Sequence, residues 1–177
     1  PVPLYHCFGM VMGNLACLSQ GAAAIFPNDA FDPLSVLQTI EAEKCTALHG
    51  VPTMFIAELE APEFDQFDLS SLRTGIMAGG PCPAEVMKRL IDKMHMSEIT
   101  IMYGQTETSP VNHMTAIDAP IDKRCETLWK AGPHQEIKIV DENGKVVAVG
   151  EKGELSCRCY SVLPLHTTDP AYAENRV

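Results

Sequence analysis

The apolar and polar positions of this chain alternate between helix-like and strand-like patterns up to about residue 103. Residues 83–94 have the clearest helical pattern, because Val86, Leu90 and Met94 recur at a spacing of four while charged side chains occupy the other side. Further helices are predicted over 10–18, over 54–59, and from Asp32-Pro33 to about Lys44. Short apolar runs predict strands over 22–26, 46–51, 74–78 and 99–103. This alternation predicts an α/β fold with a mostly parallel sheet flanked by helices.

The pattern changes after residue 107. Residues 136–140 alternate between polar and apolar side chains, and the Asp141-Glu142-Asn143-Gly144 sequence that follows is typical of a hairpin turn. Residues 145–149 and 153–160 continue the strand pattern, which predicts an antiparallel β appendage. The chain is therefore divided into an α/β part, residues 1–124, and an antiparallel β segment with a tail, residues 125–177.

The first 28 residues carry no charged side chain, which raises the question of a membrane span or a signal peptide. Asn14, Gln20 and Pro27 interrupt the apolar run, and no basic segment precedes it. We predict no membrane span, and interpret this region as a buried helix followed by a buried strand.

Composition and charge narrow the class of protein. The 177 residues are 46% hydrophobic and 20% charged, as in an ordinary folded domain, and the formal net charge of -10 argues against nucleic acid as a partner. We interpret the acidic run over residues 58–68 as a solvated surface loop.

The seven cysteines are an odd number spread along the chain, which indicates free thiols and an intracellular location, in a cytoplasmic or mitochondrial-type reducing compartment. Cys157 and Cys159 are two positions apart in a predicted strand, a spacing that suits neither a Cys-x-x-Cys redox site nor a zinc site.

Two loops carry residues suited to nucleotide chemistry, and each follows a predicted strand. The first contains Tyr103-Gly104-Gln105-Thr106-Glu107, in which the ring can stack on a base, the threonine hydroxyl can donate to a phosphate oxygen, and the carboxylate can bind Mg²⁺. The second contains Gly79-Gly80-Pro81 and leads into the helix over 83–94. Ligands of open parallel sheets bind outside the carboxyl ends of strands, so both loops are candidate binding elements. An ordinary helix cap at Thr106 and a tight turn at Gly79 are the alternatives.

Together these residues resemble the adenylate-forming (AMP-binding) superfamily, most closely its fatty acyl-CoA synthetase branch. Gly79-Gly80-Pro81 is similar to the adenine-side loop of that family, and Tyr103 to Glu107 is similar to its Y-G-x-T-E motif. The segment from Pro3 to Gly9 resembles the family pattern P-L-F-H-x-x-G. Residues 133–141 and 150–155 resemble the segment that ends in G-E-L. The five matches occur in the family's order and cover nearly the whole chain.

The resemblance implies a two-step reaction, in which a carboxylic acid and ATP form acyl-AMP and the acyl group then passes to coenzyme A. It implies that Tyr103 stacks on adenine within the Tyr103-Gly104-Gln105 turn, and that Gly79, Gly80 and Pro81 border that base. It further implies that Thr106 binds phosphate and that Glu107 holds Mg²⁺. His6 would lie beside the acyl carboxylate. His49 and His134 are interpreted as structural.

The resemblance also implies that this chain is an internal piece of a longer enzyme. The family's phosphate loop, its ribose-binding aspartate and its lysine-bearing C-terminal domain are not found in the sequence, so the partners include the missing parts of the parent chain. We expect the isolated piece to be inactive. Two alternatives stay open: an amino-acid-activating domain of a peptide synthetase, and a nucleotide-binding or structural α/β module without chemistry.

Overall fold

A computed structural model describes residues 1–163 of the chain, and within them the fold is built around a five-stranded sheet. The strands are β1 (Ala47–Gly50), β2 (Thr74–Ala78), β3 (Glu98–Tyr103), β4 (His113–Met114), β5 (Lys130–Ala131), β6 (Glu136–Val140) and β7 (Glu154–Arg158). The first three run parallel in the order β1-β2-β3, and β4 and β5 extend this sheet antiparallel. A separate antiparallel pair is formed by β6 and β7. The predicted α/β class with a mainly parallel sheet is confirmed.

Among residues 1–163, the helices are a π-helix over Phe8–Leu15 and five α-helices. The α-helices are α1 (Ala16–Gln20), α2 (Pro33–Glu43), α3 (Pro52–Leu59), α4 (Ala84–Met94) and α5 (Ile121–Glu126). Helix α2 begins as its sequence predicts, because the Asp32 carboxylate accepts a hydrogen bond of 2.7 Å from the backbone N–H of Ser35. Short 3₁₀ turns lie at Phe64–Gln66 and Thr106–Thr108.

The hydrophobic core lies between α2, α3 and α4 and one face of the sheet. Leu37 of α2, Phe55 of α3 and Leu90 of α4 are fully buried in it, together with Met77 of β2 and Ile99 of β3. Successive strand residues point to opposite faces, so burying Met77 under the helices turns its neighbours toward the other face. That second face carries the candidate site.

The predicted strand over 22–26 does not form. The structure shows extended chain there, and Ile25 and Phe26 are 42% and 59% exposed, so the prediction that this region is buried was wrong. The reason is that a strand needs a neighbour to accept its hydrogen bonds, and none of the strands among residues 1–163 pairs with this segment. The helix predicted just before it is present but carries exposed apolar side chains, such as Leu18.

The acidic run over 58–68 is only partly a solvated loop. Glu58 is 1% exposed, because it lies in α3 on the same side as Phe55 and Leu59, and Phe64 also packs in the core. The density of charge along the sequence does not reveal which side of a helix each residue occupies. The position of Glu58 on the buried side of α3, and not its charge, therefore determines that it is buried.

The hairpin turn forms, but its second strand differs from the prediction. The Asp141 carbonyl accepts from Gly144 N–H at 2.9 Å, as expected for a tight turn. Residues 145–149 nevertheless form only one isolated bridge, between Val140 and Val146, and the partner of β6 is β7. The predicted boundary between the two parts of the chain at residue 124 stays a prediction. Strand β5, which follows that boundary, still belongs to the main sheet. Residues 164–177 of the predicted tail lie outside the described residues.

Candidate functional site

A cavity of about 240 Å³ lies where β2 and β3 end. The alternation of strand side chains produces its floor, because Ile76 and Ala78 of β2 and Met102 of β3 line it while Met77 faces the helices. Phe8 and Met12 of the π-helix form an apolar wall. The sequence-predicted residues on its surface are His6, Gly79, Tyr103, Gly104, Gln105 and Thr106. Segments far apart in the sequence thus meet at one sheet edge.

The turn after β3 is fixed by close backbone packing and by a buried hydroxyl. A side chain at Gly104 is impossible without rearrangement, because a Cβ there would lie 1.8 Å from the carbonyl oxygen of Pro110. The Thr108 hydroxyl accepts from the Gln105 N–H at 3.0 Å and donates to the Gln105 carbonyl at 2.9 Å. Thr108 is buried and Thr106 is exposed, so the turn presents the Thr106 hydroxyl to the cavity.

The glycine loop after β2 is held by a thiol that the sequence analysis did not single out. Gly79 has a φ of 83°, a left-handed conformation that favours glycine. The buried Cys82 thiol lies 3.3 Å from the Gly80 carbonyl oxygen and 3.6 Å from that of Met77, as a donor to both. Burial raises the pKa of this thiol to about 12, so it keeps its proton. Gly80 and Pro81 are exposed and do not line the cavity.

The N-terminal segment brings His6 to the Thr106 turn. The Phe8 N–H donates to His6 Nδ1 at 3.0 Å, so in the neutral ring the proton resides on Nε2, which is left available for a ligand. Cys7 Sγ lies 3.6 Å from Thr106 Oγ1 and 3.8 Å from His6 Nδ1, and therefore connects the two predicted site residues. Nothing in the local pattern of Cys7 indicates this contact, which joins residues 99 positions apart.

Glu107 lies within the Thr106–Thr108 turn but does not line the cavity. Its backbone carbonyl accepts a hydrogen bond of 2.7 Å from the N–H of Leu163, which ties the turn to the chain that follows β7. No group of three or more acidic, histidine or cysteine side chains suited to a metal occurs among residues 1–163. A single carboxylate nevertheless suits Mg²⁺, which proteins hold through one or two carboxylates together with substrate phosphates.

Behind the Tyr103 ring lies a pair of buried polar residues that the sequence analysis missed. His113 pairs with Tyr103 across β3 and β4, and the two rings are 6.1 Å apart at 61°, an edge-on contact. His113 Nδ1 lies 2.8 Å from Asn112 Oδ1. Burial lowers the pKa of His113, so the ring is neutral at pH 7.

His49 also lies near the N-terminal segment. Its ring stacks on Phe8 with centroids 5.9 Å apart, and burial lowers its pKa to about 4. It does not line the cavity, which agrees with a structural role. His134 lies outside the cavity as well, at an exposed turn position with a φ of 60°.

The sequence profile of a family described as AMP-binding enzyme matches residues 1–164. YngI of Bacillus subtilis (strain 168), whose name gives it as a candidate acyl-CoA synthetase, is 58% identical over 92% of this chain and 30% of its own length. The zebrafish (Danio rerio) mitochondrial medium-chain acyl-CoA ligase ACSF2 is 45% identical over 92% of this chain and 27% of its own length. The chain thus spans less than a third of these relatives.

A solved structure supports the same grouping. The anthranilate CoA ligase AuaEII in complex with anthranoyl-AMP superposes with a TM-score of 0.82 and 28% identity, covering 92% of this chain and 31% of that chain. Within the part of this chain that the structure describes, no helix has the length and apolar character needed to cross a membrane.

Proposed function

Because the chain belongs to the AMP-binding enzyme family, we propose that it is the central part of an acyl-CoA synthetase. The proposed enzyme activates a carboxylic acid with ATP and transfers the acyl group to coenzyme A. The observation that carries this proposal is the meeting of His6, Tyr103 and Thr106 on one cavity whose other walls are largely apolar. The names of the relatives, acyl-CoA synthetase and acyl-CoA ligase, support it.

In the first half-reaction, a carboxylate oxygen of the acid attacks the α-phosphorus of ATP. The bond from that phosphorus to the oxygen bridging to the β-phosphate breaks, and pyrophosphate leaves with the bonding electrons. The Nε2–H of His6 donates to the acid and orients it, while the Thr106 hydroxyl donates to a phosphate oxygen. The Tyr103 ring stacks on adenine, and the backbone of Gly79, Gly80 and Pro81 borders the base.

Glu107 is proposed to hold Mg²⁺ with the phosphates of ATP. When bound, the metal neutralises charge that develops on the phosphate oxygens as pyrophosphate departs. The described residues lining the cavity carry no formal charge. Any further positive charge that stabilises the phosphate oxygens must therefore come from elsewhere in the parent protein. In the second half-reaction, the thiolate of coenzyme A attacks the acyl carbon and AMP leaves.

The size of the cavity indicates that this chain holds only part of the site. A cavity of about 150 Å³ holds benzene, so 240 Å³ accommodates about ten heavy atoms. AMP alone contains more atoms than that. We therefore propose that the isolated chain does not catalyse exchange between ATP and pyrophosphate, whereas the parent protein does; exchange by the isolated chain would contradict the proposal of an incomplete site.

The substrate is proposed to be an acid with an aliphatic tail. An amino-acid-activating domain would need an acidic side chain beside the substrate ammonium, and no carboxylate lines the cavity among residues 1–163. The seven cysteines are all free thiols, which supports an intracellular location.

The proposed role of Thr106 is tested by Thr106→Val in the parent protein. Loss of one phosphate donor should lower the rate of exchange between ATP and pyrophosphate about 100-fold. The matched control is Thr39→Val, which removes a hydroxyl from α2, on the other side of the sheet. Equal exchange rates in the Thr106→Val protein and the wild type would contradict the assignment.

A further inference from the structure

We infer that His113 is a positioning residue for adenine recognition, which acts by holding the Tyr103 ring at a fixed angle. The inference rests on the proposed function, in which Tyr103 stacks on the base. The two residues are register partners across β3 and β4, so their side chains leave the sheet on the same face. Their rings meet edge-on at 61° with centroids 6.1 Å apart, within the range favoured for aromatic pairs.

The orientation of the His113 ring is fixed in turn by Asn112. Asn112 Oδ1 accepts a hydrogen bond of 2.8 Å from His113 Nδ1, so the neutral ring carries its proton on Nδ1. Asn112 itself is 1% exposed and cannot turn freely. Its backbone N–H donates to the Tyr103 carbonyl at 3.0 Å, and its carbonyl accepts from Gly132 N–H at 2.9 Å.

This arrangement differs from that of an ordinary core histidine. The His113 ring is buried at 8% exposure, whereas the Tyr103 ring in front of it is partly exposed and lines the cavity. A tyrosine at the end of a strand, next to Gly104, has little to hold its ring unless a neighbour packs against it. His113 supplies that neighbour from behind, and the face directed toward the cavity stays available for a base.

The inference predicts a specific pattern of kinetic effects in the parent protein. His113→Leu fills similar space without a ring, and should raise the KM for ATP about two- to tenfold while leaving the KM for the acid unchanged. His113→Phe restores an edge-on ring and should return the KM for ATP to within about twofold of wild type. If His113→Leu does not fold, His113→Gln replaces it with the same expectation.

A double-mutant cycle with Tyr103→Ala tests whether His113 acts through the tyrosine. In the Tyr103→Ala background, His113→Leu should cause no further rise in the KM for ATP. An equal rise in both backgrounds would overturn the inference, as would a parallel change in the KM values for ATP and for the acid. Failure of His113→Phe to restore the KM for ATP would overturn it too.

The outcome is separable from that of the proposed function. If the wild-type parent binds AMP in calorimetry but catalyses no exchange between ATP and pyrophosphate with any acid, the acyl-CoA synthetase proposal fails. The double-mutant cycle of His113 and Tyr103 is then measured on the Kd for AMP instead of the KM for ATP. Absence of both exchange and AMP binding would overturn both. Thermal unfolding of each variant confirms that the comparison is made on folded protein.

Discussion

The buried carboxyl group of Glu58 should make the stability of this chain fall as the pH rises. Glu58 is 1% exposed in α3, and its Oε2 has no hydrogen-bond partner among the described residues. Burial raises its pKa from 4.5 to about 8, although the Pro1 amine opposes the shift. The folded chain therefore keeps a proton that the unfolded chain loses above pH 4.5. The stability associated with this proton is fully present below pH 4.5 and is lost as the pH rises through about 8.

The magnitude follows from the difference between these pKa values. Each pH unit between them changes the free energy of unfolding by about 1.36 kcal/mol, so the loss from pH 5.5 to pH 8 is about 3 kcal/mol. Glu58→Gln removes the titration and keeps the shape of the side chain. The variant should gain about 3 kcal/mol relative to wild type over this interval, measured by urea unfolding at both pH values.

The comparison between the two proteins separates Glu58 from other titrating groups. Burial lowers the pKa of His49 to about 4, which makes stability rise between pH 4 and pH 6.5, and this contribution cancels in the difference. Glu142→Gln, at an exposed turn position, is the matched control and should follow the wild-type curve. A difference between wild type and Glu58→Gln that does not change with pH would refute the reasoning.

Three further predictions concern the framework around the site. Arg124 is buried and donates to four backbone carbonyls, so Arg124→Met should lower the free energy of unfolding by about 3 kcal/mol in urea; an unchanged midpoint would contradict this. Gly104→Ala should weaken AMP binding by the parent in calorimetry, because its Cβ would meet the Pro110 carbonyl, whereas Gly13→Ala, which meets only one atom at 3.8 Å, should not. Cys82 should be alkylated by iodoacetamide at pH 8 far more slowly than Cys17, as followed by mass spectrometry, because burial raises the pKa of the Cys82 thiol to about 12. Equal rates of alkylation at the two cysteines would show that the Cys82 thiol is accessible.

The parallel part of the fold could be predicted because its elements have strong local patterns. The predicted helix over 83–94 differs from α4 by one residue, and the strand over 74–78 coincides with β2. Helix α4 buries one clear face and strand β2 is a continuous apolar run, so the sequence pattern alone identifies both elements. The segment over 22–26 has an equally apolar run, but no strand within the described part of the chain pairs with it, and a local pattern cannot reveal pairing.

The members of the candidate site could be predicted for a similar reason, whereas the contacts between them could not. Tyr103, Thr106 and Gly79 lie in loops that directly follow apolar strands, and parallel strands bring such loops to one edge. The contact of Cys7 with Thr106 depends on the path of the N-terminal segment, which no periodicity describes.

His113 was missed because β4 is only two residues long, too short for alternation to reveal which face a side chain occupies. Its place is set by antiparallel pairing with the end of β3, and that pairing depends on the close approach of Gly104 to Pro110. The residue that backs the Tyr103 ring is therefore determined by the same tight turn that presents Thr106 to the cavity. A substitution at Gly104 should consequently disturb base binding and phosphate binding together, whereas one at His113 should disturb base binding alone.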